Sequence, residues 1–282
     1  MVLGEQGQVL RAAVLGSPVS HSLSPALHTA AYAALGLSDW TYYRHEVAAD
    51  GLAAFVGDLD ASWRGLSLTM PLKEVAFEVA SKVTAIAQGA GAINTLVRRD
   101  DGQWEGHNTD VVGIVGAVQH VEHAGRATIL GSGATSRSAA LALAELDVRD
   151  VIVAARNATT SAEVVALLDR HGVAAIHVPL EQWAAETEPR RLVVSTLAPV
   201  ASPTAAAVPE VSSRQWSGST FLDVVYADWP TPLARAAQDA GATVISGLDM
   251  LVHQAAAQVE LFTGRPGPVG AMFAAARAAI AG

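Results

Sequence analysis

The chain has 282 residues, of which 51% are hydrophobic, and its mean hydropathy is +0.30, so it is long and apolar enough for two domains with their own cores. Its net charge of −9 and pI near 5.4 exclude a general electrostatic affinity for nucleic acid or anionic lipid. The absence of cysteine excludes disulfides, a thiolate nucleophile and a cysteine-ligated zinc site.

The first half of the chain alternates short apolar runs with helical patterns. Ser24 is a favourable N-cap and Pro25 suits the first helical position, so a helix is expected to begin there. The predicted elements are strands over residues 11–16, 41–47 and 65–69, helices over 25–35 and 73–86, and a hairpin of 93–98 with 102–106.

The second half alternates strands with helices, which is typical of a parallel sheet with right-handed crossovers. Its last two helices are expected to pack back onto the first half, so the chain crosses between domains near residues 110 and 247. The predicted elements are helices over residues 111–120, 136–146, 161–170, 247–262 and 268–281, strands over 127–130, 151–155, 175–178, 192–195, 220–225 and 243–245, and a loop over 198–218.

The compartment and the metal content are predicted from what the sequence lacks. Residues 1–10 have neither the basic start nor the apolar run of a signal peptide, and no apolar run reaches the length of about 18 residues that a membrane span needs. The nine histidines show no His-x-x-x-His spacing, so we predict no metal site. We expect a cytoplasmic monomer or homodimer that binds neither nucleic acid nor membrane.

A glycine turn, Gly131-Ser132-Gly133-Ala134-Thr135-Ser136, lies between a predicted strand and a predicted helix. In this context the first glycine permits the turn, and the second lets the backbone approach a pyrophosphate at the helix N-terminus. Ser136 stands where a third glycine is usual, so the match is partial. The turn predicts dinucleotide binding, although a plain strand-turn-helix connection also uses glycines.

The end of the following strand indicates which dinucleotide is bound. An NAD-specific enzyme usually places an acid there, whereas this chain has Arg156 followed by Asn157. A guanidinium group recognises a phosphate by paired, charge-assisted hydrogen bonds. We therefore predict NADP, and the alternative is an ordinary exposed arginine.

Polar groups of the first half suggest a substrate site. Ser22 and Ser24 alternate beside a helix N-terminus, which suits a small carboxylate, although a simple helix cap explains the serines equally well. Lys73 stands near a helix start, where the macrodipole disfavours a cation, and Asp110 lies at the predicted domain junction. Each is singly an ordinary surface charge, but together they make a plausible proton-transfer pair.

Several segments together resemble the shikimate dehydrogenase family, and most of all its actinobacterial branch. They occur in the family's order, at residues 16–25, 69–73, 91–95, 108–110, 131–136, 223–226 with 230–233, and 247–254. The resemblance implies an α/β fold with an N-terminal substrate domain and a C-terminal Rossmann-type, doubly wound parallel sheet. The implied domains are a substrate-binding and catalytic domain of residues 1–110, completed by 248–282, and an NADP-binding domain of 111–247.

The resemblance also implies an activity, the reversible NADPH-dependent reduction of 3-dehydroshikimate to shikimate in chorismate and aromatic amino-acid biosynthesis. Lys73 would act as the catalytic acid/base, with Asp110 orienting it and the substrate. Whether Lys73 transfers the proton or mainly stabilises charge stays open. The implied binding residues are Ser22 and Ser24 for the carboxylate, Thr69, Asn94, Asp110 and Gln254 for ring hydroxyls, Tyr226 beside the ring, and Gly247 and Met250 on the nicotinamide side.

The chain departs from the family pattern at a few positions. Ser67 stands where the family often has Asn, which leaves one polar contact in doubt, and Ala155 and the stretch Ser195–Leu197 differ on the cofactor side. The rivals are a quinate or aminoshikimate dehydrogenase of the same fold, a folate-type dehydrogenase of similar two-domain plan, which would not explain the paired serines, and, from another class, a non-catalytic NADP-binding sensor. A sensor would have no need of Lys73 and Asp110 together with the ring-binding set.

Overall fold

The computed structural model describes residues 9–185, 190–213 and 216–281. Residues 1–8, on which most of the signal-peptide prediction rests, lie outside this range. The chain divides into two compact units, unit 1 of residues 1–113 and 251–282 and unit 2 of residues 114–250. No helix of the described ranges is long and apolar enough to cross a membrane.

Unit 1 is built on a mixed six-stranded sheet with the order β2-β1-β3-β5-β6-β4. β1 pairs in parallel with β2 and β3, and β5 runs antiparallel to β3 and β6. The elements are β1 (Leu10–Gly16), α1 (Ser24–Ala34), β2 (Trp40–Glu46), α2 (Leu52–Gly57), β3 (Trp63–Leu68), α3 (Leu72–Val75), β4 (Lys82–Val83), α4 (Ala85–Ala90), β5 (Thr95–Arg98) and β6 (Trp104–His107).

The sheet of unit 1 is buried on both faces. Ala13 and Leu15 of β1 pack into one apolar cluster, and Ala12 and Val14 pack into the other. This explains why β1 is a continuous apolar run and not an alternating one.

The predicted helix over residues 73–86 is wrong. The segment forms α3, a short 3-10 turn, β4 and α4, because the edge of β6 offers hydrogen bonds that replace the helical ones. Ser81 N donates to the Trp104 carbonyl and Thr84 N to the Gly106 carbonyl, both at 2.9 Å. The apolar spacing that suggested a helix reflects packing against the core from these four successive short elements.

Unit 2 is built on six parallel strands in the order β12-β11-β10-β7-β8-β9. This is the doubly wound arrangement in which strand order reverses beside the first strand, here between β7 and β10. The elements are α5 (Asp110–Val118), β7 (Arg126–Leu130), α6 (Ala134–Glu145), β8 (Asp150–Ala154), α7 (Ala158–Arg170), β9 (Ala174–Val178), β10 (Leu192–Ser195), α8 (Ser202–Ala206), α9 (Pro209–Ser213), β11 (Thr220–Asp223), α10 (Pro232–Asp239) and β12 (Thr243–Ser246).

The chain returns to unit 1 through α11 (Gly247–Thr263) and α12 (Val269–Ala281), and α12 packs against α1. The predicted return of the last helices to the first half is therefore confirmed. The predicted loop over 198–218 is wrong for its described part, which includes α8 and α9 and buries Ala205, Val211 and Trp216 in the core of unit 2. Residues 214 and 215 of that prediction lie outside the described residues.

Candidate active site

A lysine–aspartate ion pair lies in unit 1. Lys73 Nζ is 2.6 Å from Asp110 Oδ2, and the two side chains are 17% and 3% exposed. Lys73 is placed by α3, where its carbonyl accepts the backbone N–H of Ile93 at 2.8 Å. Asp110 opens α5, where Asn108 Oδ1 accepts its backbone N–H at 3.0 Å. The two charges therefore meet with little water around them, where their attraction is strong.

The side-chain amide of Asn94 joins this pair to Gln254. Its Nδ2 donates to Asp110 Oδ1 at 2.8 Å and to Gln254 Oε1 at 3.0 Å. Its Oδ1 accepts from the Thr95 hydroxyl and from the Thr109 backbone N–H, both at 2.8 Å. These two donors decide which end of the amide faces Asp110. Asn94 is 1% exposed, so its polar atoms depend on these partners.

Gln254 reaches the cluster from α11. Because its Oε1 accepts from Asn94, its Nε2 presents N–H donors to a ligand. Asp110 has one oxygen engaged by Lys73 and the other by Asn94, and each oxygen keeps a further lone pair. The cluster thus combines donors on Gln254 and Lys73 with acceptors on Asp110, which suits a ligand that carries hydroxyl groups and a carbonyl oxygen.

The two serines lie together at the start of α1. Ser22 Oγ donates to Ser24 Oγ at 3.2 Å and accepts the Ser24 backbone N–H at 3.3 Å. The prediction that Ser24 caps the helix is wrong, because α1 begins at Ser24 and the N-cap position is Leu23. The Ser22 hydroxyl oxygen instead accepts the Ser24 backbone N–H at the start of the helix.

Arg44 is a cation beside the serines that sequence analysis missed. Its Nη2 donates to the Ser22 carbonyl at 2.7 Å, and its side chain is exposed. It stands on β2 two residues after Tyr42, which is buried, so both point to the same face of the strand. Nothing in the spacing of Arg44 along the sequence links it to Ser22, since the contact depends on how β2 lies beside the loop before α1.

Thr69 follows β3 directly. Its backbone N–H donates to the Leu15 carbonyl at 2.9 Å, and its side chain is half-buried. A Cβ on Gly16 would lie 2.3 Å from Thr69 Cγ2, so glycine allows β1 to end against this residue.

Ser67, where the resemblance left a polar contact in doubt, is buried on β3. Its Oγ accepts from the Tyr42 hydroxyl at 2.7 Å and donates to Gln258 Oε1 at 2.8 Å. Protein groups thus engage both its donor and its acceptor function. Gln258 was not among the residues selected from the sequence.

The glycine turn connects β7 to α6 in unit 2, as predicted. Gly131 has φ +111, and a Cβ there would lie 2.5 Å from Thr196 Oγ1, so a side chain does not fit. Gly133 has φ −88, and nothing lies within 4 Å of a Cβ built on it. Ser136, in place of the third glycine, is buried with its Oγ 2.6 Å from Thr196 Oγ1. Gly131 is therefore required by the turn, whereas Gly133 leaves open space beside the first N–H groups of α6.

The end of β8 carries Arg156 and Asn157, both exposed. Asn157 Oδ1 accepts the backbone N–H groups of Thr159 at 2.9 Å and Thr160 at 3.2 Å, so Asn157 is the N-cap of α7. Ser132 of the glycine turn lies with its Oγ 2.6 Å from Thr160 Oγ1. The turn and the N-terminus of α7 are thereby linked.

The other residues predicted for the cofactor or the ring also belong to unit 2. A Cβ on Gly247 would lie 2.0 Å from a backbone carbonyl oxygen, so packing at the start of α11 requires glycine there. Met250 is buried, and Tyr226, beyond the end of β11, is half-buried. Ala134 and Thr135 form the first turn of α6.

Two sequence profiles match the chain. The profile described as Shikimate dehydrogenase substrate binding domain matches residues 14–96, and that described as Shikimate 5'-dehydrogenase C-terminal domain matches residues 247–277. The Shikimate dehydrogenase (NADP(+)) of Synechococcus sp. (strain JA-3-3Ab) is 38% identical, over 95% of this chain and 93% of its own length. The chain belongs to the shikimate dehydrogenase family. It is therefore an oxidoreductase.

Solved structures agree with this membership. The crystal structure of Mycobacterium tuberculosis shikimate dehydrogenase is similar with a TM-score of 0.84 and 45% identity, and the match covers 95% of this chain and 99% of that one. The Thermus thermophilus shikimate 5-dehydrogenase, solved in complex with NADP(H) and shikimate, is similar with a TM-score of 0.81 and 34% identity, covering 96% and 99%. The family and the fold class predicted from the motifs are confirmed.

Proposed function

We propose that this member of the shikimate dehydrogenase family catalyses the reversible reduction of 3-dehydroshikimate to shikimate with NADPH. The observation that carries the proposal is the ion pair of Lys73 and Asp110 at 2.6 Å, joined through Asn94 to Gln254. Unit 1 holds this cluster and the paired serines, and unit 2 holds the glycine turn. We accordingly assign substrate binding to unit 1 and NADP binding to unit 2.

Lys73 is proposed as the proton donor for reduction. The chemistry supplied by bound NADPH would be hydride transfer to the carbonyl carbon, and negative charge would then develop on the carbonyl oxygen. The Lys73 ammonium group stabilises that charge and gives the oxygen a proton, and in the reverse direction the hydroxyl proton returns to Lys73. Asp110 holds Nζ in one position and leaves the other N–H bonds of the ammonium group to the substrate.

The ring hydroxyls are proposed to meet groups of fixed polarity. Gln254 presents N–H donors because its carbonyl is used by Asn94, and Asp110 presents acceptor lone pairs. Thr69 adds a hydroxyl that serves either role. A substrate that lacks a hydroxyl would leave one of these polar groups unpaired, and this is how such a site rejects it.

The substrate carboxylate is proposed to bind at Ser22 and Ser24. Their hydroxyl oxygens are 3.2 Å apart, so both reach one anion, and the guanidinium group of Arg44 lies beside the same loop. In a chain with a net charge of −9, such a local cation is what an anionic substrate requires.

The residues of unit 2 fit a dinucleotide phosphate. The open space at Gly133, beside the N-terminus of a 12-residue helix, is where a pyrophosphate is favoured by backbone N–H groups and by the macrodipole. Arg156 is exposed just after β8, and the sequence has no acid over residues 151–162, which supports NADP over NAD. Tyr226, Gly247 and Met250 are proposed for the nicotinamide and ring side. The working protein is proposed to be a cytoplasmic monomer or homodimer.

The test is the initial rate of nicotinamide reduction with shikimate, offering NADP and NAD in parallel and quinate as comparator. Turnover with shikimate and NADP alone would support both the substrate and the Arg156 assignment. Strong activity with quinate or with NAD would indicate a related dehydrogenase of the same fold and chemistry but with another substrate or cofactor preference. No turnover with any pair would contradict the proposal and favour an NADP-binding sensor.

A further inference from the structure

Gln258 lies one helical turn after Gln254 on α11 and is 1% exposed. Its side-chain amide contacts three elements of unit 1. Oε1 accepts from Ser67 Oγ at 2.8 Å and from His28 Nε2 at 3.3 Å, and Nε2 donates to Thr95 Oγ1 at 2.9 Å. A side chain with this many buried hydrogen bonds is costly to leave unpaired.

The Gln258 amide sets the direction of hydrogen bonding on the Thr95 side. Because Nε2 is a donor only, the Thr95 oxygen accepts from it and gives its own proton to Asn94 Oδ1 at 2.8 Å. Asn94 Oδ1 also accepts the Thr109 backbone N–H at 2.8 Å, and Asn94 Nδ2 faces Asp110 Oδ1, Gln254 Oε1 and Thr109 Oγ1. A chain of donors thus runs from Gln258 to the carboxylate of the ion pair.

The other end of the amide sets the direction toward Tyr42. Gln258 Oε1 is an acceptor only, so the Ser67 hydroxyl donates to it, and the Tyr42 hydroxyl must in turn donate to Ser67 at 2.7 Å. The amide thereby keeps the Tyr42 proton directed into the protein. One side chain thus fixes the hydroxyl direction of Thr95 in one branch and of Ser67 and Tyr42 in the other.

We propose that Gln258 is a positioning residue for the reaction, acting through Thr95 and Asn94 on the Lys73–Asp110 pair. This inference rests on the proposed function. The role requires a group with one donor end and one acceptor end, and an apolar side chain of the same length supplies neither. If Gln258 has this role, an apolar replacement of the same length lowers kcat even where it preserves the packing.

The first experiment is a double-mutant cycle of Gln258→Met and Thr95→Val, measured as kcat and KM for shikimate, with NADP binding and unfolding followed in parallel. Each change should lower kcat about tenfold, since each leaves a buried polar partner unpaired. The double variant should be no slower than the slower single one, because both break the same chain. NADP affinity should stay as in the wild type, and Glu260→Gln, an exposed change on the same helix, should leave kcat unchanged.

The second experiment is the pH profile of Gln258→Glu. A protonated carboxyl has one donor and one acceptor end, as the amide has, whereas the ionised form has no donor. The kcat of this variant relative to wild type should therefore rise as the pH falls and the introduced carboxyl takes up its proton. The titratable side chains around the amide are His28 from α1 and Tyr42 from β2, with Asp110 and Lys73 at the far end of the Thr95 branch.

Three results would overturn the inference. They are a Gln258→Met kcat within twofold of wild type, additive losses in the cycle, or a Gln258→Glu profile parallel to that of wild type. If Gln258→Met does not fold, Thr95→Val and the Gln258→Glu profile decide the question. Absence of wild-type turnover with shikimate and NADP would instead refute the proposed function, so the two failures are distinguishable.

Discussion

At the scale of single residues, the site is defined by how each polar group is paired. Lys73 and Asp110 are both largely withdrawn from water, so neither charge is compensated without the other. The residue types could be selected from the motifs, because hydride transfer to a carbonyl needs a proton donor and a polyhydroxylated ring needs buried polar partners. Arg44, Ser67 and Gln258 could not be assigned their contacts in this way, because no motif reports side-chain pairing.

Lys73→Ala is predicted to lower kcat by roughly 100-fold or more, the usual contribution of a general acid, with a smaller change in the KM for shikimate. Alanine leaves room for water to solvate Asp110, so the unit is expected to fold. Steady-state kinetics measure the effect. Lys82→Ala is the matched control, because Lys82 forms a 2.8 Å ion pair with Glu105 but its side chain is 60% exposed. A near-normal kcat with a raised KM in Lys73→Ala would show that Lys73 binds the substrate but does not take part in the catalytic step.

Arg44→Ala is predicted to raise the KM for shikimate about two- to fivefold with kcat unchanged, the scale expected for an exposed charge. The reason is that Arg44 adds positive charge beside the serines and donates to the Ser22 carbonyl. The effect should weaken at high salt, because the cation is screened. Arg99→Ala, which removes an exposed ion pair with Asp101, is the control. Equal KM values for both variants would argue against a carboxylate subsite at this loop.

His28 predicts a loss of stability in acid. Burial lowers the pKa of His28 to about 3 from an ordinary value of 6.5. The unfolded state therefore binds the proton first, and the free energy of unfolding falls as the pH drops from 6.5 toward 3. At about pH 5 this loss amounts to about 2 kcal/mol.

The measurement for His28 is urea unfolding at about pH 7.5 and pH 5, in wild type and in His28→Phe. Phenylalanine keeps an aromatic ring against Tyr42, whose ring centroid lies 4.0 Å from that of His28. The variant should lack most of the acid-induced loss that His28 causes. An identical pH dependence in the two proteins would show that His28 is not the group that titrates.

At the scale of elements, the parallel strands of unit 2 were readable because they are buried on both faces and appear as short apolar runs. The segment 73–86 was misread because its apolar residues have helical spacing while its backbone bonds to β6. The segment 198–218 was misread because its Pro and Ser residues suggest a loop, yet Pro203 stands in the first turn of α8. The spacing of apolar residues along a segment does not show whether a neighbouring strand will form hydrogen bonds with the backbone of that segment.

The glycine turn allows a test that separates packing from cofactor binding. Gly133→Ala should leave thermal stability nearly unchanged, because nothing lies within 4 Å of the new Cβ, but should weaken NADP binding about tenfold or more if the pyrophosphate approaches there. Gly131→Ala is the matched comparison. It should destabilise unit 2 by about 1–3 kcal/mol, because the position has φ +111 and a close Thr196 contact. Fluorescence titration and thermal unfolding measure both, and unchanged NADP affinity in Gly133→Ala would contradict the proposed cofactor position.

At the scale of the whole molecule, the chain builds two units, each with its own sheet and core. Unit 1 is discontinuous in sequence, and α5 and α11 carry the chain between the units. This arrangement brings α11, more than a hundred residues away in sequence, to the polar groups at the end of β3 and the start of β5.

Hydrogen exchange should separate the two binding functions. NADP at about 100 times its Kd should stabilise the slowest-exchanging amides of β7, β8 and β10 by up to about 2.7 kcal/mol, because the ligand binds only the folded state. Shikimate should protect the amides of β1 and β3 in the same way. Protection of both sheets to the same extent by NADP alone would contradict the assignment of the cofactor to unit 2.

The sequence by itself determined the family, the doubly wound half, the glycine turn and the chemical types that a hydride-transfer site needs, because these are properties of short segments with local geometry. Only the tertiary structure decided that Lys73 pairs with Asp110, that the Gln254 carbonyl accepts from Asn94, and that the Gln258 amide bonds to Ser67 and Thr95. The partners Thr95, Ser67 and His28 lie 163, 191 and 230 positions from Gln258, and hydrogen bonds act over about 3 Å. Such contacts depend on the register and packing of distant elements, which no local pattern in the sequence encodes.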